Sequence, residues 1–414
     1  MRFRRFSYVI IVILLLIDLY VFQAVKAVVY SSSHRTKFWV YLAYWLITVL
    51  GLLTLFLYPY LNTTSWPKTL RSVVFTIVLG LYAAKIITIF FLILDDIRRF
   101  FEWVIEKVMP GELPEAIKSS TISRSRFISK LGLLMGGTLF ATLIYGFSNK
   151  YNYRIRRVRL SFDHLPAGFR GLKIVQISDI HSGSFDNKEK VNRGVTMAMD
   201  EKPDIIFFTG DLINNHAVEM DHYLDVFSRL RAPMGVWSTL GNHDYGDYTQ
   251  WPSLEDKAKN LEKLKQLEAQ MGWTMLNNAH TILERGGDRI ALIGVENWSA
   301  KKYFTRYGDL KKAYAGTAAY PFKILLSHDP THWDAQVRPE YPDIDLTLSG
   351  HTHGMQFGVD IPGFRWSPIQ YVYKEWADLY REKAQYLYVN RGYGFIGYPG
   401  RVGVLPEITV IELT

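Results

Sequence analysis

Apolar residues crowd the first 150 positions of the chain and become sparser afterwards. Within that region, four stretches are apolar and long enough to cross a bilayer as helices, which takes roughly 20 residues each. They cover residues 8–29, 38–61, 73–94 and 127–147. The first stretch is too long for a cleaved signal, and no small-residue cleavage site follows it. We therefore expect four transmembrane helices in the mature protein.

Two ionisable residues, Asp18 and Lys85, fall deep within the first and third stretches. Charges at that depth are costly unless they are paired or face a cavity. An ion pair that orders the helix bundle is the simpler interpretation, and a role in transport or sensing is the alternative.

Apolar residues recur at helical spacing from Ile97 to Val108, with charged residues between them. This pattern predicts an amphipathic helix at the membrane interface, within a loop over residues 95–126. The helix should end at a group of helix-breaking residues, Pro110, Gly111 and Pro114, ahead of a polar linker over residues 119–125.

The pattern of residue types changes at about residue 151, where short runs of β-branched residues alternate with stretches of helical periodicity. This alternation predicts an α/β domain. We expect a four-helix transmembrane region over residues 1–150, a linker and first strand over 151–170, and the soluble domain over 171–414.

Polar residues follow the predicted strands directly. Asp179 and His181 come after the run at 173–178, and their i, i+2 spacing would let an extended segment present both to one ion. The next run, 203–209, ends in a glycine followed by Asp211, which is well placed to bridge two ions.

Three later runs end in the same way. After residues 235–240, Asn242 offers a neutral oxygen and His243 an acid or a phosphate contact. His328 follows the run at 323–326, and His351 and His353 form another i, i+2 pair flanked by glycines. Five of the 11 histidines thus stand at strand ends, which chance alone does not explain.

The amino-acid composition excludes several kinds of catalytic and metal-binding site. The chain has no cysteine, so disulfides, thiolate nucleophiles and cysteine-bound zinc are excluded. The formal charge of +9 comes largely from Lys and Arg beside the apolar stretches, where such residues anchor helices at anionic headgroups. We expect the bilayer as partner and no nucleic acid.

The ordered series Asp-x-His, Gly-Asp, Gly-Asn-His-Asp, a lone His and Gly-His-Thr-His resembles the calcineurin-like metallophosphoesterase superfamily, in the branch with an N-terminal transmembrane or twin-arginine-like segment. The resemblance covers residues 170–414. It implies a two-sheet sandwich of that type and two divalent ions. The implied ligands of the first ion are Asp179, His181, Asp211 and His353, and those of the second are Asp211, Asn242, His328 and His351.

By the same resemblance, His243 is the general acid or a transition-state contact, and Asp244 orients it. Mixed carboxylate and imidazole ligands favour manganese, iron or zinc. Arg391 and Arg401 either contact substrate phosphate or have a structural role. An acyl or base pocket has several aromatic candidates, namely Trp298, Trp333, Phe357, Trp366 and Trp376.

These features predict a membrane-anchored binuclear-metal phosphoesterase that hydrolyses a phosphoester or pyrophosphate bond of a lipid-linked or nucleotide-linked substrate. A phospholipid and a glycolipid are the candidate substrates of the first kind. One concrete alternative, drawn from the resemblance, is a UDP-2,3-diacylglucosamine pyrophosphatase of lipid A biosynthesis, which requires a site facing the cytoplasm. A catalytically silent membrane sensor or scaffold and a channel or transporter are alternatives of other classes.

Basic residues divide between the two membrane sides without a clear majority. Residues 123–130 (Ser-Arg-Ser-Arg-Phe-Ile-Ser-Lys) resemble an interrupted twin-arginine signal, and an ordinary basic helix flank is the alternative. We expect an integral protein of the bacterial inner membrane whose catalytic domain lies outside the cytoplasm.

Overall fold

The computed structural model describes residues 2–61, 66–108 and 124–414, with residues 2–8 and 59 described by their backbone alone. The chain divides into two compact units, Met1–Tyr145 and Gly146–Thr414. Each unit has its own class of secondary structure.

The first unit is helical. Four long helices occupy its described residues: α1 (Arg2–Val28), α2 (His34–Leu57), α3 (Lys68–Val108) and α4 (Arg126–Ser148). A 3₁₀ turn, Tyr58–Tyr60, follows α2. Each of the four contains a stretch long and apolar enough to cross a membrane. The prediction of four transmembrane helices is confirmed.

The third helix is longer than the sequence suggested. α3 has 41 residues and continues unbroken past Asp95 to Val108. The prediction of a separate element that begins at residue 95 is therefore wrong for residues 95–108. The charges that suggested a boundary are neutralised within the helix, since Arg98 pairs with Asp95 at 3.0 Å. The predicted helix end at Pro110, Gly111 and Pro114 and most of the polar linker lie outside the described residues.

Asp18 and Lys85 form a buried ion pair between α1 and α3. Thr48 of α2 donates its hydroxyl to Asp18 Oδ1 at 3.1 Å, and Tyr82 donates to Oδ2 at 3.3 Å. Because each charge has a partner, the pair can remain inside an apolar bundle. The structure therefore agrees with the simpler interpretation of these two residues.

The second unit contains two six-stranded sheets and a hairpin. The first sheet has the order β1 (Arg154–Leu160), β14 (Glu407–Leu413), β2 (Lys173–Ile177), β3 (Ile205–Phe208), β4 (Val236–Ser238) and β5 (Trp273–Met275). The second has the order β12 (Asp378–Glu382), β13 (Gln385–Val389), β9 (Leu346–Ser349), β8 (Lys323–Leu326), β7 (Asp288–Gly294) and β6 (Ala279–Arg285). The hairpin pairs β10 (Val359–Ile361) with β11 (Phe364–Trp366). The helices are α5 (Lys188–Asp200), α6 (Leu224–Phe227), α7 (Leu254–Gln270), α8 (Leu310–Tyr314) and α9 (Arg338–Glu340).

The two sheets pack face to face. One buried apolar cluster takes Ile174 and Phe207 from the first sheet and Leu292 and Ile324 from the second. Another cluster covers the outer face of the first sheet with residues of α5 and α7. These layers confirm the predicted two-sheet sandwich flanked by helices.

Parallel pairing sets the position of the site. β2, β3 and β4 are parallel to one another, as are β8 and β9, so within each sheet their carboxyl ends lie at one edge. The two edges meet, because Gln176 on β2 donates its amide to the carbonyl of Ser349 on β9 at 2.9 Å. The loops after these five strands therefore converge.

Candidate metal centre

The loops at this edge carry every side chain that the sequence singled out as a candidate ligand or acid. The loop after β2 carries Asp179 and His181, and the loop after β3 carries Asp211. The remaining candidates follow β4, β8 and β9, namely Asn242, His243, Asp244, His328, His351 and His353. The ligand candidates form two adjoining groups.

Asp179, His181 and His353 form the first group, and all three are buried. The Nε2 atoms of the two histidines are 3.0 Å apart, and Asp179 Oδ1 is 3.3 Å from His353 Nε2. The three ligand atoms lie within 4.8 Å of one another. Two ring nitrogens and a carboxylate oxygen at this spacing suit a divalent cation.

Asp211, His328 and His351 form the second group. Asp211 Oδ2 is 3.1 Å from His328 Nε2, which is 3.2 Å from His351 Nδ1. The amide oxygen of Asn242 joins them, at 3.1 Å from the His328 nitrogen and 2.7 Å from the His351 nitrogen. A neutral oxygen thus completes a mixed set of oxygen and imidazole donors.

One carboxylate oxygen links the two groups. Asp211 Oδ2, which contacts His328 in the second group, also lies 3.6 Å from His181 Nε2 in the first. The other oxygen, Oδ1, accepts the backbone N–H of His243 at 2.8 Å, which fixes the orientation of the carboxylate. Asp211 is the residue best placed to be shared by two cations.

The backbone at the site is left-handed. Asp179, His181, Asp211, His351 and His353 have φ values between 50° and 72°, a region that non-glycine residues seldom occupy. The extended geometry predicted for Asp179 and His181 is therefore wrong, although both side chains still belong to one group. His351 and His353, also spaced i, i+2, serve different groups.

Gly350 allows the two edges to approach. A Cβ atom at this position would lie 2.0 Å from Ser178 Oγ and 2.2 Å from Asp179 Oδ2. Without it, the backbone N–H of His351 reaches both carboxylate oxygens of Asp179 at 3.0 Å. A side chain at position 350 would displace a candidate ligand.

Backbone carbonyls fix two of the imidazole rings. His328 Nδ1 lies 2.7 Å from the carbonyl oxygen of Thr209, and His243 Nδ1 lies 2.8 Å from that of Asn214. A carbonyl only accepts, so Nδ1 carries the proton in both rings. The Nε2 atom of His328 therefore faces Asp211, and it carries the lone pair when the ring is neutral, which is the form in which histidine binds a metal.

Asp244 does not have the role expected for it. Its Oδ2 accepts the N–H groups of Asp211 and Gly241, both at 2.8 Å, and its Oδ1 accepts those of Leu212 at 2.8 Å and Ile213 at 3.3 Å. The prediction that Asp244 orients the His243 ring is wrong, since that ring hydrogen-bonds to the Asn214 carbonyl. Asp244 instead holds the loop that carries Asp211.

The ionisable side chains of the centre shift one another's pKa values. Burial opposes ionisation of Asp211, but His328 and His243 beside it hold the pKa of its carboxyl well below the usual range. Burial also disfavours charge on His328, yet Asp211 and Asp179 outweigh it and raise the pKa of His328 to about 10. At His181 burial dominates and holds the pKa well below its ordinary value. Two buried carboxylates thus stabilise positive charge beside them. Protonated His328 supplies such a charge, and divalent cations would supply it as well.

Comparison with known proteins agrees with this geometry. Residues 172–355 match the family model described as "Calcineurin-like phosphoesterase", and residues 4–150 match "Probable Calcineurin-like phosphoesterase, transmembrane domain". The chain is 30% identical over 301 residues to the metallophosphoesterase YkuE of Bacillus subtilis, an alignment that covers 70% of this chain and 98% of that protein. The chain is a calcineurin-like metallophosphoesterase.

Two further relatives show how the family varies. The metallophosphoesterase is 31% identical over 278 residues to a Danio rerio protein named "Transmembrane protein with metallophosphoesterase domain", covering 65% of this chain and 60% of that protein. It is 28% identical over 286 residues to the "UDP-2,3-diacylglucosamine pyrophosphatase LpxG" of Chlamydia trachomatis, covering 58% of this chain and 83% of that protein. The chain therefore spans less than two thirds of the first relative's length.

A cavity of about 290 Å³ opens onto the centre of the metallophosphoesterase. Its polar wall includes His181, Asp211, Asn242, His243, His351 and His353. The rest of its lining is mainly apolar and aromatic, with Tyr303, Phe304, Ile369, Val372, Tyr373 and Ile396. None of the five aromatic residues proposed from the sequence lines it, and Trp333 is instead buried in an apolar cluster. Periodicity alone does not distinguish core aromatics from a pocket wall.

Arg391 and Arg401 have structural roles. Both are fully buried and neither lines the cavity. Arg391 pairs with Glu407 at 2.6 Å and Asp360 at 3.0 Å. Arg401 donates to backbone carbonyls, including that of His353 at 3.2 Å, and burial lowers its pKa to about 9. The interpretation that these arginines contact substrate phosphate is not supported.

Three residues that no motif singled out contact the candidate ligands. Tyr373 Oη lies 2.9 Å from His351 Nε2, and Asp329 Oδ2 lies 3.5 Å from the same nitrogen. Asn242 donates its amide N–H to the hydroxyl of Tyr248 at 2.9 Å. Asp329 directly follows His328 and could have been noticed, whereas the two tyrosines stand in segments without a motif.

Proposed function

We propose that this metallophosphoesterase is a binuclear-metal enzyme of the membrane that hydrolyses a phosphoester or pyrophosphate bond of a lipid-linked substrate. The observation that carries the proposal is the position of Asp211 Oδ2 beside both ligand groups. A carboxylate shared in this way is the arrangement that two neighbouring cations need.

The donor set fits two divalent ions. We assign Asp179, His181, Asp211 and His353 to one ion, and Asp211, Asn242, His328 and His351 to the other. Imidazole and carboxylate ligands favour manganese, iron or zinc over calcium. When bound, such ions neutralise phosphoryl oxygens and lower the pKa of water.

His243 is the proposed acid. Because its Nδ1–H is held by the Asn214 carbonyl, Nε2 is the nitrogen left to meet the substrate in the cavity. Its ring centroid lies 4.9 Å from that of His181, so the ring stands at the edge of the first ligand group. In its doubly protonated form, His243 can donate a proton to the departing oxygen.

The apolar wall of the cavity supports a lipid-linked substrate. Phe304, Ile369 and Val372 face the same cavity as the ligands, and apolar surface of this kind suits acyl chains better than a free phosphate. The relative named for UDP-2,3-diacylglucosamine supports the same class of substrate.

The substrate depends on the side of the membrane. We further propose an inner-membrane protein whose catalytic unit lies outside the cytoplasm, because residues 123–130, ahead of the last span, resemble an interrupted twin-arginine export signal. A catalytic unit in the cytoplasm would instead favour UDP-2,3-diacylglucosamine. A reporter enzyme fused to the C-terminus distinguishes the two arrangements.

Asp211→Ala tests the assignment. The variant should lose hydrolysis of a generic aryl phosphodiester and retain less metal after dialysis, because it removes a ligand from both groups. Asp225→Ala, which removes a carboxylate that pairs with Lys188 on the surface, is the matched control. Full activity in Asp211→Ala would refute the proposed site.

A further inference from the structure

The helical unit contains an open cleft with an unusual concentration of positive charge. Its volume is about 990 Å³, which is ample for a small polar group. Five basic residues line it: Lys26, Arg98, Arg99, Arg124 and Arg126. No acidic residue is among the described residues that form its wall.

Carboxylates behind the wall neutralise three of these cations. Asp95 and Glu102 pair with Arg98 at 3.0 and 2.5 Å. Asp96 pairs with Arg99 at 2.8 Å and with Arg124 at 2.9 Å. These three arginines are thereby held in position.

Lys26 and Arg126 are different, because neither pairs with a carboxylate among the described residues. Arg126 lies over the ring of Tyr30 at 5.0 Å and reaches Ser31 Oγ at 3.5 Å. Lys26 lies over the ring of Phe22 at 5.6 Å. The described part of the cleft therefore has two positive charges more than its carboxylates neutralise.

The start of α4 adds to the attraction for an anion. Ser125, Arg126, Phe127 and Ile128 all line the cleft, and Ser125 Oγ accepts the N–H of Ile128 at 3.3 Å. α4 has 23 residues, and the positive end of the dipole of a long helix favours an anion at its first turn. The N–H of Ser125 already donates to Asp95 Oδ2 at 3.1 Å, so it is the dipole and not this N–H group that contributes. Backbone and side chains thus favour the same sign of ligand charge.

The cleft lies where a membrane span ends. The apolar stretch of α1 finishes at Val28, between Lys26 and Tyr30 in sequence, and α4 begins at Arg126. Tyr30 and Phe127 are 69% and 75% exposed, and aromatic side chains collect at the level of lipid headgroups. A ligand in this position has its charge at the interface and its apolar part in the bilayer.

We propose that the cleft binds the phosphodiester headgroup of an anionic phospholipid. Guanidinium groups hydrogen-bond to phosphate oxygens in pairs, and basic pockets between transmembrane helices are suited to anionic headgroups. The cleft is separate from the candidate metal centre, which belongs to the other unit. It would fix the bundle at an anionic leaflet.

Native mass spectrometry of the full chain, released from neutral detergent and titrated with phosphatidylglycerol, tests the proposal. Lys26→Gln and Arg126→Gln should each weaken phosphatidylglycerol binding by about fivefold, since a basic residue near an anionic lipid contributes about 1 kcal/mol. Lys107→Gln, on α3 but outside the cleft, should bind like the unaltered chain. Phosphatidylcholine should bind weakly to all of them.

Two results would overturn the proposal. One is equal phosphatidylglycerol affinity in the unaltered chain and in both cleft variants. The other is displacement of the lipid by inorganic phosphate, which would assign the cleft to a soluble anion. An unchanged thermal midpoint and helical circular dichroism of the full chain in detergent show that a variant is folded, and if Arg126→Gln fails to fold, Lys26→Gln decides alone.

Discussion

Asp244→Asn distinguishes two possible roles of Asp244. The carboxylate either supports the loop that carries Asp211 or acts as a partner of His243. Each carboxylate oxygen of Asp244 accepts two backbone N–H groups, from Asp211 and Gly241 on one side and from Leu212 and Ile213 on the other. Whichever oxygen becomes an NH₂ group leaves two buried donors without an acceptor. At about 1–3 kcal/mol for each unsatisfied group, the loss is about 2–6 kcal/mol.

The loss should appear first at the loop that carries Asp211. We expect Asp244→Asn to lower the bound metal per chain, measured by plasma mass spectrometry after dialysis, and to lower the thermal midpoint of the full chain in detergent by several degrees. Asp225→Asn serves as the control, since that carboxylate lies on the surface. A variant with full metal content and an unchanged midpoint that loses only turnover would refute this reasoning and restore the role of Asp244 as a partner of His243.

Two further changes test other parts of the site and its surroundings. His243→Ala should retain both metals but lower turnover by about 10²- to 10⁴-fold, because it removes the proposed acid and no ligand, and metal loss would contradict that role. Burial raises the pKa of Glu268 to about 8 from the ordinary 4.5, and the hydrogen bond from Ser238 offsets this only in part. The folded state therefore binds this proton more tightly than the unfolded state, so stability falls as pH rises from about 4.5 to 8. Glu268→Gln should raise the thermal midpoint above pH 8 and have little effect near pH 4.5, and a constant difference across that range would exclude burial of the charge as the cause.

Much of the site could be predicted because its residues follow buried strands directly. Isoleucine and phenylalanine at positions 205–208 form a central parallel strand, and the polar residue after such a strand necessarily lies at the edge of the sheet. The same logic placed His328 and His351. The left-handed backbone at Asp179 could not be predicted, since nothing in the local sequence requires it.

Contacts between distant segments explain the other errors. Asp244 accepts backbone N–H groups more than 30 residues earlier in the chain. Every residue except proline has such a group, so the sequence does not indicate which of them Asp244 contacts. α3 continues through its charged segment, and Asp96 within that segment pairs with Arg124, which lies beyond the end of the helix. In the sequence, Arg401 has no feature that distinguishes it from a surface cation. In the structure, backbone carbonyls surround its guanidinium group. Each of these features depends on partners that only the folded chain brings together.

The left-handed candidate ligands also bear on how this sequence could change over generations. Asp179, His181, Asp211, His351 and His353 each occupy a conformation that glycine or asparagine adopts more easily, at a cost of about 1 kcal/mol per residue. A lineage that no longer used the site would gain stability from replacements at these five positions, because relaxed selection lets such trade-offs reverse. Losing the candidate ligands would therefore be an easy evolutionary path, and a silent descendant should be recognisable by glycine or asparagine at these positions.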